Sequence, residues 1–170
     1  MKQEEIVKKL SGAFGPDVIL STTEFRGEAA ATVAADKILD VCRFLRDDPE
    51  LSFSFLSFVG GVDWYPETPR FEIVYQLYSV KHRHRFRVKA RIDEKPGADA
   101  VIDSVTEIWP TANWHERETA EMFGIVFKNH PDPRKLLLPD TWKVHPLRKD
   151  FPVLGTEEDT PDLPKRAGGS

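Results

Sequence analysis

The sequence predicts an α+β fold in which a mixed or antiparallel sheet of about four to five strands carries helices on one face. Residues 84–92 alternate strictly between apolar and basic side chains, which is typical of a strand with one packed and one solvated face. Residues 36–48 carry apolar side chains at helical spacing. Seven of the thirteen prolines lie in residues 124–170, which predicts a long, extended, proline-rich C-terminal arm.

Length and composition limit the class of protein. With 170 residues, 40% of them hydrophobic, the chain is long enough for one domain with a real core. A net charge of −4 gives no global basic field that would recruit nucleic acid or anionic lipid. The one cysteine, Cys42, excludes a disulfide scaffold and a self-contained iron–sulfur cluster, which needs about four thiolates. We expect no secretory signal at the start, and no apolar run approaches the ~20 residues that span a bilayer.

The predicted helices and strands lie in residues 1–128, which we expect to form the α+β domain. The helices are predicted over residues 2–11, 36–48, 97–105 and 114–123. The strands are predicted over residues 17–25, 29–34, 51–65, 71–80 and 84–92. We expect Gly12 to end the first helix, and Arg26-Gly27 to turn the first two strands into a hairpin.

The predicted helix over residues 114–123 has charges on every side. Asn113 is a suitable N-cap, Glu116 stands where the carboxylate of a capping box belongs, and Gly124 suits a left-handed C-terminal cap. No face is purely apolar or purely polar, so we expect a helix that is surrounded by protein and has paired charges. Arg117 is spaced to reach Glu121 at i, i+4.

The arm, residues 129–170, is too rich in proline for a long helix or a central strand, yet it carries many large apolar side chains. Such a segment is too apolar to remain in water and too irregular to fold alone. Two arrangements satisfy this composition: the arm packs on another protein, or it wraps back over the sheet of its own chain and completes the core.

Five multi-residue motifs follow one another between residues 114 and 150: W-x-E-R-E, M-F-G-I-x-F, H-P-D-x-R, L-L-P-D-x-W and H-P-L-R-K-D. In this order they resemble the signature of the C subunit of the proton-pumping NADH:quinone oxidoreductases, the respiratory complex I family. Several motifs in one order over about forty positions are far more specific than one short motif. Three residues depart from the pattern that the resemblance implies: Glu121 replaces Asp, and Asn129 and Val144 each replace Gly.

The resemblance implies a non-catalytic subunit of the peripheral arm of that complex. Such a subunit scaffolds the subunits that carry electrons from NADH through FMN and iron–sulfur clusters to quinone. The enzyme, a translocase, is then the assembled complex, and this chain has no catalytic, cofactor-binding or metal-binding residues of its own. FMN and the clusters are expected in partner subunits.

The partners that the resemblance implies are other peripheral-arm subunits, especially the hydrogenase-large-subunit-like subunit at the quinone site and the neighbouring iron–sulfur subunits. The implied location is the cytoplasmic face of the bacterial inner membrane, reached only through those partners. We expect the arm to pack on them, and twelve residues to form the interface: Trp114, Glu116, Arg117, Glu118, Glu121, His130, Asp132, Arg134, Trp142, Arg148, Lys149 and Asp150.

Other functions fit the sequence less well. The corresponding subunit of a sister complex, such as a membrane-bound hydrogenase or a ferredoxin- or deazaflavin-dependent dehydrogenase, would share the motifs. A nucleic-acid-binding module could use the basic strand Arg85–Arg91, but that strand has no interleaved aromatic side chains, and pairing with acids such as Glu72 is the simpler interpretation. The five histidines are scattered, and the carboxylates near Glu116 accompany no phosphate loop or nucleophile elbow.

Overall fold

A computed structural model describes residues 3–153 and 155. The described residues form three α-helices: Gln3–Phe14 (α1), Ile38–Asp47 (α2) and Ala112–Phe123 (α3). A short 3-10 helix, Ala35–Lys37, directly precedes α2. They also form seven strands: Ile19–Phe25 (β1), Glu28–Val33 (β2), Phe55–Asp63 (β3), Phe71–Ser79 (β4), His84–Ile92 (β5), Ala100–Asp103 (β6) and Ile125–Lys128 (β7). The predicted α+β class is confirmed.

The main sheet has five strands in the order β1-β2-β5-β4-β3 within the described residues. It is mixed, because β2 and β5 run parallel while the other neighbours are antiparallel. The inward side chains of β5, such as Phe86 and Val88, are buried in one core with Ile6 of α1 and Val41 of α2. The opposite face presents Arg85, Arg87, Lys89 and Arg91, as the alternation predicted.

A second sheet consists of β6 and β7, which pair in parallel. The helix predicted over residues 97–105 is therefore wrong. Ala100 and Ile102 are buried while Val101 is exposed, which is the alternation of a strand. Four residues are too few to separate a period of 2 from one of 3.6, and the strand that pairs with β6 follows more than twenty residues later in the chain.

Several predicted boundaries differ from those observed. Helix α1 passes through Gly12 and ends at Phe14, and Gly15 has the positive φ (73°) expected just after a helix. The predicted helix over 36–48 is split into the 3-10 turn and α2. Strand β3 begins at Phe55 rather than at residue 51, because the preceding residues form backbone turns around Asp48.

Helix α3 packs closely against the edge strand β3. A Cβ atom on Gly61 would lie 2.7 Å from the Phe123 ring and 3.1 Å from the Thr119 methyl group. These distances leave no room for a side chain at Gly61, so the glycine sets how closely helix and strand approach. The contact fixes the position of α3 beneath the C-terminal segment.

Residues 129–151 run along α3 from its N-terminus to its C-terminus, and we call this segment the strap. His130 contacts the Asn113 carbonyl near the start of α3. The carbonyls of Arg134 and Lys135 accept hydrogen bonds from Arg117 near its middle. Residues 145–148 bind the carbonyls at its end. The strap then crosses to the ends of β3 and β4. Of the predicted arm, residue 154 and residues 156–170 lie outside the described residues.

Candidate partner interface

Glu116 lies at the base of the site, on the inner face of α3. Its carboxylate is fully buried and accepts hydrogen bonds from the Ser104 hydroxyl (2.6 Å) and the Val105 amide (2.8 Å). Burial raises the pKa of Glu116 to about 7, although these two hydrogen bonds lower it. The predicted capping box is wrong: α3 begins at Ala112, before Asn113, and Glu116 binds the loop after β6 instead.

His130 continues this network into the strap. The Asp132 amide donates to Nδ1 of His130 (3.0 Å), so the ring proton sits on Nε2 and can donate to the Asn113 carbonyl (3.2 Å). Nε2 also lies 3.8 Å from a Glu116 oxygen, beyond hydrogen-bond distance.

The neighbouring Asn129 has a φ of 63°, a conformation that Asn tolerates better than most residues and Gly adopts freely. This explains how Asn129 stands where the motif predicts Gly.

Replacing Glu116 with Gln is expected to change how stability depends on pH. The pKa of Glu116 is higher in the folded chain than its unfolded value of 4.5, so the folded state binds more protons between pH 4.5 and about 7. Stability from this group is therefore present below pH 4.5 and is lost as pH rises to about 7. Relative to Glu116→Gln, the wild-type free energy of unfolding should fall by about 3 kcal/mol over that range. Urea unfolding of both chains from pH 4.5 to 8 measures the difference, and parallel curves would contradict it.

The Arg117 side chain binds backbone atoms of the strap. Its guanidinium donates to the carbonyls of Arg134 (2.7 Å) and Lys135 (3.0 Å) and lies 3.5 Å from an Asp132 oxygen. The same guanidinium lies over the Trp114 ring, 5.3 Å from its centroid. The expected pairing of Arg117 with Glu121 is wrong, because both side chains turn to the strap instead.

Glu121 holds the next part of the strap. Its carboxylate is buried and accepts hydrogen bonds from three consecutive backbone amides, those of Leu136 (3.1 Å), Leu137 (2.8 Å) and Leu138 (3.1 Å). Three N–H groups that converge on one carboxylate form a small anion-binding nest. The nest fixes the backbone of this apolar turn.

The end of α3 binds the H-P-L-R motif. His145 Nδ1 lies 2.8 Å from the Glu121 carbonyl, the Leu147 amide donates to the Met122 carbonyl, and Arg148 donates to the Phe123 carbonyl. These contacts satisfy carbonyls that the last turn of a helix leaves without intrahelical partners. Gly124 has the predicted left-handed conformation (φ 71°), and a Cβ there would lie 2.5 Å from the His145 ring. The glycine thus both ends the helix and admits the strap.

The strap is fastened to the sheet by a charge cluster around Arg70, which we call the Arg70 clasp. Arg70 makes two hydrogen bonds to each of Asp63 (2.8 and 2.9 Å) and Asp150 (2.8 and 3.0 Å), and one to Glu94 (2.9 Å). Asp63 also accepts from the Lys149 amide. Burial alone would raise the pKa of Asp63, but the Arg70 guanidinium and backbone amides outweigh it and hold that pKa well below its usual range.

The structure thus places the twelve predicted interface residues along α3 and the strap. Glu116 and Glu121 are buried within the chain and bind it internally. The side chains on the outer surface include five of the twelve: Trp114, Glu118, Arg134, Lys149 and Asp150. The other five residues are half-buried, although the His130 side chain itself is only 2% exposed: Arg117, His130, Asp132, Trp142 and Arg148.

Sequence reasoning missed Arg70 and Asp63, which fasten the strap. Both precede the motif-bearing stretch by more than forty residues, and Asp63 falls in what reads as a plain apolar strand. No local signal in a single sequence marks them. Their charges become notable only when folding brings Asp150, eighty residues after Arg70, into contact.

Three large apolar side chains are exposed on the outward surface of this site. Trp114 is 60% exposed, Leu137 62% and Leu147 55%, although each adjoins a residue with internal hydrogen bonds. Trp114 lies near the start of α3, whereas the amides of Leu137 and Leu147 bond to Glu121 and Met122 in its last turn. We call these three side chains the ridge, and exposed apolar side chains on an ordered scaffold make it a candidate interaction surface.

Comparison with known proteins identifies the family. A sequence profile described as "Respiratory-chain NADH dehydrogenase, 30 Kd subunit" matches residues 31–157. The chain belongs to this family. Relatives named as the C subunit of NADH-quinone oxidoreductase include those of Roseiflexus castenholzii, 48% identical over 90% of this chain and 85% of the relative, and Citrifermentans bemidjiense, 46% identical over 90% and 91%. The family resemblance drawn from the motifs is confirmed.

A solved structure shares the fold of this complex I family member. It is a chain in the structure of the membrane-bound sulfane sulfur reductase, an archaeal respiratory membrane complex. The TM-score is 0.69 at 28% identity, covering 89% of this chain and 86% of the other.

None of the described helices is long and apolar enough to cross a membrane.

Proposed function

We propose that this chain is a non-catalytic scaffold in the peripheral arm of an NADH:quinone oxidoreductase. It holds together subunits that carry electrons from NADH through FMN and iron–sulfur clusters to quinone. The observation that carries the proposal is the exposed ridge of Trp114, Leu137 and Leu147, in which the backbone amides of both leucines are bonded to α3 and Trp114 lies under the Arg117 guanidinium. A surface ordered before binding loses little conformational freedom when a partner covers it.

The ridge suits burial against a protein. Covering a large apolar side chain contributes about 1.5–3 kcal/mol, and aromatic side chains at the centre of an interface often dominate its affinity. The charged side chains beside the ridge, Glu118, Arg134 and Lys149, would then set register and specificity. The outer surface of α3 and the strap is therefore the proposed interface.

The partners we propose are peripheral-arm subunits, in particular the hydrogenase-large-subunit-like subunit at the quinone site and the adjoining iron–sulfur subunits. The clusters are proposed to belong to those partners, because the single cysteine here supplies too few thiolates for a cluster, and FMN is proposed to lie in a partner as well. The chain itself is proposed to bind no cofactor, and to reach the cytoplasmic face of the membrane through its partners.

A sister respiratory complex is the second candidate, favoured by the likeness to a chain of the sulfane sulfur reductase structure. That likeness is 28% in identity, whereas relatives named as the C subunit of NADH-quinone oxidoreductase reach 48%. The higher identity supports NADH as the electron donor. Spectroscopic NADH:quinone activity of the complex purified through this subunit distinguishes the two.

Replacing Leu137 with Asp is expected to lower the amount of assembled complex at least ~10-fold, because burying a charge in the apolar ridge opposes docking by more than ~1.4 kcal/mol. The backbone amide that Glu121 binds is retained, so the isolated variant should melt as the wild type does. Val80→Asp is the control, since Val80 is 61% exposed on a turn away from the strap. Native gels of membranes from each strain give the measurement. Normal assembly of Leu137→Asp would overturn the proposed interface.

A further inference from the structure

A second surface lies on the opposite side of the molecule from the helical core. The outer face of the sheet forms an open groove of about 490 Å³, lined by Glu28, Phe55, Ser57, Gln76, Tyr78, Arg85 and Arg87. Phe55, Tyr78 and Arg85 form one row across three neighbouring strands, since Tyr78 pairs with both of the others. The groove is therefore part of a rigid sheet rather than of a loop.

The cations of this face differ in how they are paired. Arg87 lies 3.2 Å from Glu28 and donates to Gln76, Lys89 lies 3.2 Å from Glu72, and Arg91 lies 3.3 Å from Glu67. Pairing with Glu72 is what the sequence predicted. Within residues 3–153, by contrast, no carboxylate pairs with the guanidinium of Arg85, which is exposed.

Aromatic side chains flank this free charge. Phe55 is 46% exposed on the edge strand β3, and Tyr78 lies half-buried between it and Arg85. Arginine beside aromatic side chains is the composition of interface hot spots. Because Arg87 is already held by Glu28 and Gln76, the floor of the groove is ordered before anything binds.

We propose that this groove docks a segment of a partner subunit that presents a carboxylate to Arg85 beside an apolar side chain that packs on Phe55 and Tyr78. Charge complementarity selects this occupant, because among the residues that the structure describes the groove lining has one unpaired positive charge, and its one acid, Glu28, is already paired. The proposal rests on the proposed function only in requiring that the chain sits among partner subunits. The groove is distinct from the ridge on α3 and the strap, and adds a second contact.

The alternative occupant, nucleic acid, fits this face less well. A strand of phosphates needs a row of free cations, and here three of the four are neutralised by acids of the same chain. One free arginine suits a single carboxylate instead. Single-stranded DNA is therefore the competing outcome of the experiment.

A photo-crosslinking residue, p-benzoylphenylalanine, at position 55 tests the proposal within the complex in its own host. After irradiation of membranes, the crosslinked peptide is identified by mass spectrometry. The expected product joins position 55 to a peptide of another complex subunit that contains Asp or Glu within about four residues of the crosslink. No crosslink, a crosslink to a second copy of this chain, or a peptide without an acid would each overturn the proposal.

Charge variants add the chemical test. Arg85→Glu is expected to lower the yield of that crosslink at least ~10-fold, because an attraction becomes a repulsion, while Lys95→Glu, an exposed lysine outside the groove, leaves it unchanged. An unaltered crosslink in Arg85→Glu would overturn the proposal. So would Arg85-dependent binding of single-stranded DNA in a mobility-shift assay with no crosslink to a subunit.

The outcomes also separate this inference from the proposed function. If the complex assembles with normal NADH:quinone activity but gives no crosslink at position 55, docking in the groove is refuted and the scaffold role stands. A chain that never copurifies with other subunits removes both. Melting curves of each purified variant verify that a loss of crosslinking does not reflect misfolding.

Discussion

Replacing Arg70 with Met is expected to lower the free energy of unfolding by about 3–5 kcal/mol and to release the strap from the sheet. The methionine keeps most of the packing volume but leaves Asp63, whose side chain is 2% exposed, as an uncompensated buried charge. It also removes the partner of Asp150 and one partner of Glu94. Urea unfolding of the purified chain at pH 7 measures the loss.

Arg91→Met is the matched control for the Arg70 clasp. Arg91 pairs with Glu67 on the outer face, where Glu67 is well exposed, so the loss should stay below ~1 kcal/mol. The pH dependence gives a second test. The pKa of Asp63 is depressed in the folded chain, so the stability from this group is present above its unfolded value of 3.8 and is lost as pH falls below that value. In Arg70→Met this acid-side loss should shrink, and an equal loss in both arginine variants would argue against the clasp.

Replacing Glu121 with Gln is expected to cost about 2–4 kcal/mol in unfolding free energy. The carboxylate accepts from three backbone amides, whereas an amide group has one acceptor oxygen and turns its NH₂ toward at least one of those donors. Hydrogen bonds to a charged group contribute about 1.5–3 kcal/mol each, and a buried donor left without a partner adds a penalty. The middle of the strap should then detach from α3.

Limited trypsin digestion reports that detachment directly, because Lys135 and Lys143 lie within the strap. Cleavage at these lysines should become at least ~10-fold faster in Glu121→Gln than in the wild-type chain, since ordered backbone resists proteolysis. Glu118→Gln is the control on the same helix, because Glu118 is exposed. Unchanged cleavage in Glu121→Gln would mean that other contacts suffice to hold the strap.

Local rules predicted the parts of the fold that local residues determine. Strand β5 occupies residues 84–92 as its alternation predicted, and α3 ends at Phe123, just before the left-handed Gly124, as predicted. The start of α3 was less predictable. Asn113 and Glu116 match a capping box in sequence. In the structure, however, the Glu116 carboxylate accepts hydrogen bonds from the buried Ser104 hydroxyl and Val105 amide instead of capping the helix.

Contacts between distant parts of the chain account for what the sequence could not predict. Strand β6 depends on pairing with β7, and the Arg70 clasp joins positions 63, 70 and 150. The charges of α3 were expected to be paired within a helix surrounded by protein, which is correct only in part: Arg117 and Glu121 bind strap backbone atoms and Glu116 binds Ser104 and Val105, but Glu118 is exposed. The strap's packing on partner subunits stays a prediction, and its contacts with its own chain leave the outer ridge available for it.

The contacts between α3 and the strap have a consequence for divergence within the family. Arg117 and Glu121 grip carbonyls and amides of the strap, and the Leu147 amide binds the Met122 carbonyl. Every residue type has a backbone carbonyl, and every type except proline has a backbone N–H group. These hydrogen bonds therefore do not depend on which side chains the strap residues carry. At positions 134–138 these hydrogen bonds therefore fix the path of the chain but not its side chains, so they do not account for the motif residues Arg134, Leu137 and Leu138. Proline at 136, 137 or 138 is the substitution that such a lineage should avoid.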